Sequence, residues 1–345
     1  RLSSLPPGPG FPADPLYPAS VELSLTNACD LDCVYCSDSG VRESPDGLTP
    51  GILDDLFETL ARGGTRGVTV EGGGEPTLSP LFETALELAA KHKLSLGLIT
   101  NGTRLFAGRS PELYRAFQWI RVSLDAADPS SYLKLKGKDL YGRVLENVGV
   151  LCGLGKAASG RAGPGPNAAN APSAPLVGVG HVLTRENDDD RALAKLAEGL
   201  KKAGAGYLHL RPAVDHPELA SPKISFPELA AVEDARFRVN LAALRENAPS
   251  GNLGLPCLAH SLTTVIGADG LVRVCGRLDS VPGLKPLGDL KKESFREIWS
   301  GKERKERAAT LSDPDFTGKN CPQCRMTKYN LFLHRLRGVR TRDFI

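Results

Sequence analysis

Between residues 21 and 214 short apolar runs alternate with stretches of helical periodicity, and this alternation narrows the possible folds more than any other feature of the chain. VELSLTN (21–27), GVTVEGG (67–73), LSLGLIT (94–100), WIRVSLD (119–125), PLVGVGHVLT (175–184) and YLHLRPAV (207–214) read as strands. TPGILDDLFETLARGG (49–64), Ser79–Lys93, LYGRVLENVGVLCGL (140–154) and Asp188–Ala203 read as helices. In 49–64, Ile52, Leu53, Leu56, Phe57 and Leu60 recur at helical spacing before a Gly pair, and Ser79 followed by Pro80 suits a helix start. Strands joined through helices make parallel βαβ units, with ligands at the C-terminal strand ends. A length of 345 residues fits two domains of about 150, or one enlarged barrel.

The flanking regions have other compositions. Residues 1–19 are rich in Pro, Gly and Ser and read as an irregular tail. Residues 155–174 are low in complexity, which suits a flexible insertion or an ordered lid. The chain reads as helical over about 226–247, a linker spanning 216–250 that separates a domain at 20–215 from one at 251–345. Ala268-Asp269-Gly270 is a hairpin signal. The net charge of +3 gives no basic excess for nucleic acid or a membrane surface. No apolar run reaches the roughly 18 residues that span a bilayer, and the N-terminal residues lack a secretory apolar core. The expected setting is cytoplasmic.

Of eight cysteines, seven fall into two groups. In the reducing cytosol, clustered cysteines read as metal ligands or catalytic groups. Cys29, Cys33 and Cys36 form C-x3-C-x2-C directly after a strand. Three thiolates in eight residues suit a soft metal or an iron–sulfur cluster. Zinc takes four ligands and no fourth lies nearby, so a zinc loop needs a ligand from elsewhere. Cys257, Cys275, Cys321 and Cys324 supply four thiols, enough for either a cluster or zinc.

The first group, with Tyr35 before its last cysteine, resembles the signature of the radical S-adenosylmethionine (SAM) superfamily. The resemblance continues through Gly73-Gly74-Glu75-Pro76, Thr100-Asn101-Gly102 and Val122-Ser123-Leu124-Asp125-Ala126. It implies an α/β fold: a partial (β/α)6 TIM-type barrel with a small C-terminal α+β domain. Cys29, Cys33 and Cys36 would bind three irons of a [4Fe-4S] cluster, with SAM on the fourth. Gly73, Gly74 and Glu75 would contact the methionine end of SAM, Tyr35 the adenine, and Asn101, Ser123 and Asn187 the ribose or carboxylate. An external one-electron reductant of flavodoxin or ferredoxin type would drive cleavage of SAM to a 5′-deoxyadenosyl radical that takes a hydrogen atom from substrate. The second group, after the IGADGLVRVC hairpin and around PLGDLKKESFREIWSG, resembles the auxiliary-cluster module called SPASM when long and Twitch when short. Four cysteines suit one fully ligated [4Fe-4S] cluster. In the second segment Leu290, Phe295, Ile298 and Trp299 suit one helix face.

The spacing of that module resembles antibiotic-pathway enzymes acting on aminocyclitols and sugars. This favours a small-molecule polyol substrate and an oxidoreductase that turns a secondary alcohol into a ketone. Two alternatives stand beside it: epimerisation of a sugar carbon with a cysteine as hydrogen donor, and modification of a ribosomal peptide. Cys152 is the thiol left for epimerisation, although its place on a helix suits a buried small side chain equally. Strand alternation groups Glu22, Ser24 and Thr26, then Thr69 and Glu71, then His209 and Arg211. Arg211 is the candidate to bind or deprotonate a hydroxyl, and Glu71 and His209 are candidate substrate contacts. His181 alternates to the opposite face, and Gly178 and Gly180 clear one face of their strand.

Overall fold

The computed structural model describes residues 17–157, 174–213, 216–242, 244, 254–278, 281, 283–321, 324 and 326–338. Most of the tail at 1–19 and of the insertion at 155–174 therefore lies outside the described residues. The chain forms two compact units, one of residues 24–46 and 68–246, the other of 1–23, 47–67 and 247–345.

The 24–246 unit carries a parallel sheet of β2 (Gly67–Val70), β3 (Ser95–Thr100), β4 (Phe117–Ser123), β5 (Leu176–Leu183), β6 (Tyr207–Pro212) and β7 (Arg238–Asn240), in that order. β3 to β7 run parallel, with Arg121 beside Gly178, Gly180 beside His209 and Val182 beside Arg211. This is the mostly parallel α/β sheet of a partial barrel. Alternate residues on each strand divide by face. Val68, Val70, Leu98, Ile120, Val122, Val179, Leu208 and Leu210 are buried to 1% exposure or less. Trp119, Arg121, Ser123, Tyr207, His209 and Arg211 on the opposite, inner face are only partly buried.

The covering helices are Phe82–His92, Pro129–Lys136, Tyr141–Ala157 and Asp190–Ala203. Asp128 and Asp189 cap two of them by accepting from the amides of Ser131 and Ala192. Gly137 and Gly204 end the same two in the left-handed conformation, with φ of 76° and 106°. Asp190–Ala203 buries Leu193, Leu196, Ala197 and Leu200 along one stripe, each leucine worth about 1.5–3 kcal/mol of burial.

In the other unit β1 (Ser20–Leu23) lies parallel to β8 (Thr263–Ile266). β8 turns through Ala268-Asp269-Gly270, with Gly270 at φ +82°, into antiparallel β9 (Leu271–Arg273), which pairs with β10 (Gly288–Asp289). Helices Pro50–Arg62, Phe295–Ser300, Lys302–Leu311, Pro314–Asn320 and Thr327–Gly338 complete it. Phe295 anchors the core edge-on to Tyr17 at 5.5 Å and stacked on Trp299 at 5.6 Å.

Three local expectations are corrected. Over 226–247 the described residues hold a helical turn, Pro227–Ala230, then β7, because the Asp234 carboxylate accepts the amides of Arg236 and Phe237 and turns the chain, with helix again at Ala242 and Leu244. Ser79 does not start a helix: its hydroxyl donates to the Leu25 carbonyl, and the helix begins at Phe82. Leu290 precedes its helix, which starts where Ser294 and Glu297 form a capping box.

Candidate functional site

The loop of Cys29, Cys33 and Cys36 is stitched to the C-terminal end of the Pro129–Lys136 helix: Asp32 and Val34 amides donate to the carbonyls of Lys136 and Leu135, both at 3.1 Å. Arg42 braces it from below, donating to the Leu31 carbonyl and, at 3.3 Å, to Cys36 Sγ. Asn101 Nδ2 lies 3.9 Å from Cys29 Sγ. The three thiols are partly buried and free of disulfides. Burial pushes the Cys33 thiol up to about 11, against the pull of Lys136, and raises Cys29 as well. Such thiols keep their protons until a metal centre displaces them, which suits a ligand set rather than a nucleophile. Among the described residues no three His, Cys, Asp or Glu side chains stand close enough to share one metal ion.

The glycine turn presses against the same loop. Gly72 and Gly73 have φ of +69° and +62°. A Cβ on Gly74 would meet the Ala28 carbonyl oxygen at 1.9 Å, and one on Gly73 would meet Asn27 Oδ1 at 2.6 Å. These glycines let two backbones touch, with the amides of Gly74 and Glu75 donating to the Thr26 and Ala28 carbonyls at 2.8 Å. The Glu75 side chain, 2% exposed, is already occupied. It accepts from the Thr77 amide and hydroxyl, the Thr100 hydroxyl and the Asn101 amide, at 3.1, 2.7, 2.7 and 2.7 Å. Burial raises its pKa despite these donors. Glu75 thus ties the glycine turn to the end of β3.

Asn101 and Asn187 are similarly committed. Asn101 donates to Asp30 at 2.8 Å and accepts from the Thr103 amide at 2.9 Å. Asn187 donates to the Asp125 and Val182 carbonyls at 2.7 and 2.8 Å and accepts from the Thr184 amide at 2.7 Å. Their side chains hold the C-terminal edge of the sheet in shape. Ser123 ends β4 on the inner face, and its carbonyl accepts from Lys136 Nζ at 3.1 Å.

Lys136 and Asp125 were not singled out from the sequence. They form an ion pair, with side chains 3% and 2% exposed. Asp125 has a left-handed φ of 58° and also accepts the Val182 amide at 2.6 Å. Despite burial, Lys136 keeps the Asp125 carboxyl below its ordinary range, and Asp125 in turn holds the Lys136 ammonium well above its own. That ammonium lies 5.5 Å from the ring centroid of Tyr35. The signal for Lys136 was its place directly after Leu135 and just before the helix-ending Gly137.

On the inner face of the 24–246 unit, His209 and Arg211 stand on β6 and Glu71 follows β2. His209 lines a cavity of about 610 Å³ with Tyr207, Arg236, Arg238 and Asn240. His181 is fully buried on the helix-facing side, and burial lowers its pKa. Cys152 is 6% exposed within Tyr141–Ala157. In the other unit, Cys257, Cys275, Cys321 and Cys324 are partly buried and in no disulfide. Asn330, 0% exposed, accepts the Leu258 and Ala259 amides at 2.8 Å and points Nδ2 at Cys257 Sγ, 3.8 Å away. Arg304 stacks over Trp299 at 4.4 Å and reaches His260 at 2.9 Å.

A three-thiol loop at the strand ends of a parallel sheet, with a four-thiol set in the other unit, suits two iron–sulfur sites. The sequence matches the radical SAM superfamily over residues 23–163 and the SPASM iron–sulfur cluster-binding domain over 257–325. The chain therefore carries a radical SAM domain, which binds SAM and a [4Fe-4S] cluster, followed by a SPASM domain, which binds further iron–sulfur. It is similar to mycofactocin maturase MftC of Mycobacterium tuberculosis, 27% identical over 276 residues, covering 75% of this chain and 64% of the maturase. It is 26% identical over 129 residues to a probable GTP 3′,8-cyclase of Pyrococcus abyssi, covering 37% of this chain and 42% of the cyclase. The chain thus spans less than two thirds of either relative. Streptococcus suis SuiB bound to its precursor peptide SuiA superposes with a TM-score of 0.62 at 14% identity, over 91% of this chain and 73% of SuiB, a likeness of fold. No helix among the described residues is long and apolar enough to cross a membrane.

Proposed function

We propose that this chain is a radical SAM maturase that removes a hydrogen atom from a peptide substrate. The observation that carries this reading is the likeness to a maturase over 75% of this chain, well beyond the extent of the radical SAM match at 23–163, whereas the cyclase likeness covers 37%. The small polyol, favoured by cysteine spacing in the sequence, is the weaker reading beside it.

Cys29, Cys33 and Cys36 would hold the first cluster, and Cys257, Cys275, Cys321 and Cys324 an auxiliary one. Bound there, cluster and SAM supply a 5′-deoxyadenosyl radical on one-electron reduction. The chain's own residues do the rest. Arg42 and Asn101 hold the cysteine loop in shape through Cys36 and Cys29. The glycine turn, held by Glu75, brings backbone groups to the strand ends without side chains. The Asp125–Lys136 pair fixes the end of β4 beneath Tyr35. The inner face supplies the polar groups that orient a substrate.

Reconstituted enzyme, SAM and dithionite are incubated anaerobically with the short peptide encoded beside its gene or with 2-deoxy-scyllo-inosamine. The reading expects faster release of 5′-deoxyadenosine with the peptide and a peptide lighter by hydrogen or cross-linked. Acceleration by the aminocyclitol alone would overturn it.

A further inference from the structure

The inner face of the 24–246 unit holds two cations, Arg121 and Arg211, that have no hydrogen-bond partner at Nε among the described residues. Arg121 on β4 and Arg211 on β6 flank β5, where Arg121 is registered with Gly178, Arg211 with Val182, and Gly180 lies between those two positions. A Cβ on Gly180 would meet Arg121 Cδ at 3.5 Å and Nε at 3.8 Å, so the Arg121 side chain lies across that glycine. A Cβ on Gly178 would enter the Tyr207 ring at 2.0 Å. The glycines thus let an arginine and a tyrosine fold over the strand toward one another.

The Nε groups of both arginines are buried and have no hydrogen-bond partner. Neither guanidinium makes an ion pair among the described residues. The two repel: Arg211, after burial, pulls the Arg121 pKa down to about 10, with Glu71 pulling the other way. At neutral pH Arg121 still carries its charge. Two partly buried guanidiniums without an ion-pair partner among the described residues leave positive charge on this face that a bound anion would neutralise. Lys136, by contrast, has the Asp125 carboxylate.

We propose that Arg121 and Arg211 form an oxyanion clamp for a carboxylate of the substrate, with Tyr207 closing one side. On the peptide reading, on which the substrate class rests, this is an acidic side chain or the C-terminal carboxylate of the segment being modified. Planar guanidiniums match a carboxylate in two-point contact, and a carboxylate held between β4 and β6 would fix the peptide on the inner face. Arg211 is then a binding residue rather than a base, since a charged guanidinium has no lone pair to accept a proton.

The test is calorimetric titration of anaerobic holoenzyme with SAM present. The probes are N-acetyl-glutamate N-methylamide, N-acetyl-glutamine N-methylamide, N-acetyl-alanine and glucuronate. The clamp predicts that the best carboxylate probe binds about 10- to 100-fold more tightly than the glutamine probe, as expected for charge-assisted hydrogen bonds. Arg121→Gln and Arg211→Gln should each remove the preference, and Arg121→Lys should restore part of it. SAM titration of each variant confirms a folded site. The glutamate or alanine probe binding best assigns the carboxylate to a side chain or to the C-terminus. Binding of glucuronate alone would keep the clamp and overturn the peptide. Equal binding of the glutamate and glutamine probes with no glucuronate preference, or a preference that survives both variants, would overturn the clamp.

Discussion

The two cysteine sets differ in how the chain assembles them. Cys29, Cys33 and Cys36 lie within eight residues, on a loop held by Arg42, Asn101 and the backbone of a neighbouring helix. Cys257, Cys275, Cys321 and Cys324 span 257–324 and come from a loop, the end of a hairpin and the start of a helical segment. A local set needs only one loop to fold correctly, so its geometry is written in its spacing. A distributed set depends on the packing of a whole module, with Asn330 joining the Cys257 loop to the last described helix.

The largest expected effects separate the sets. Replacing Cys29, Cys33 and Cys36 with Ala should remove about four of eight irons, and replacing the C-terminal four should remove the other four. Iron and sulfide analysis reads this directly. The second replacement should also lower the thermal midpoint more, because its ligands tie distant segments together. Equal midpoints would remove the contrast drawn between a local and a distributed set.

Asp125→Asn comes next. It leaves Lys136 charged and unpaired in a site with almost no solvent, a loss of about 3–5 kcal/mol in denaturant unfolding. Because the folded pKa of Asp125 is depressed, its contribution is present above the ordinary carboxylate range and lost as pH falls through the folded value. Wild type should therefore lose stability below about pH 4, and the variant should lose less there. An unchanged acid limb would show that the pair contributes nothing.

Glu75→Gln should follow, at about 2–4 kcal/mol, because a neutral amide replaces a carboxylate among four donors. Both clusters should still assemble while SAM affinity falls through the displaced glycine turn. A variant with full stability but no SAM binding would restore Glu75 as a direct ligand. Cys152→Ala is the smallest, about 1 kcal/mol for a buried small side chain, with product formation retained. Arrested product with continued deoxyadenosine release would make Cys152 a hydrogen donor and favour epimerisation.

Much of this was legible in the sequence. The six expected strands and four expected helices of 21–214 all form, because apolar period and flanking glycines agree along each segment. The hairpin at 268–270 was equally readable from its turn residues. Less legible were contacts made across the fold. Glu75, Asn101 and Asn187 stand within recognisable motifs, but which donors fill their oxygens is fixed only when β3, the glycine turn and the 184–187 turn meet. Arg121 was hidden because an arginine in an alternating strand usually faces solvent. What marks it is the pair of glycines on the adjacent strand, a relation between residues about 58 positions apart that register alone creates. The helical reading of 226–247 is interrupted because one side chain, Asp234, turns the backbone into β7 between Pro227–Ala230 and the helical residues Ala242 and Leu244.

The central claim is that the three-cysteine loop, and not the four-cysteine module, carries the SAM chemistry. Its most direct test is 5′-deoxyadenosine formation by anaerobically reconstituted enzyme with SAM and dithionite. Wild type should release it. The Cys29/Cys33/Cys36→Ala variant should release none while keeping its auxiliary iron, and the Cys257/Cys275/Cys321/Cys324→Ala variant should still release it. Deoxyadenosine from the first variant, or none from wild type with both clusters in place, would contradict the account.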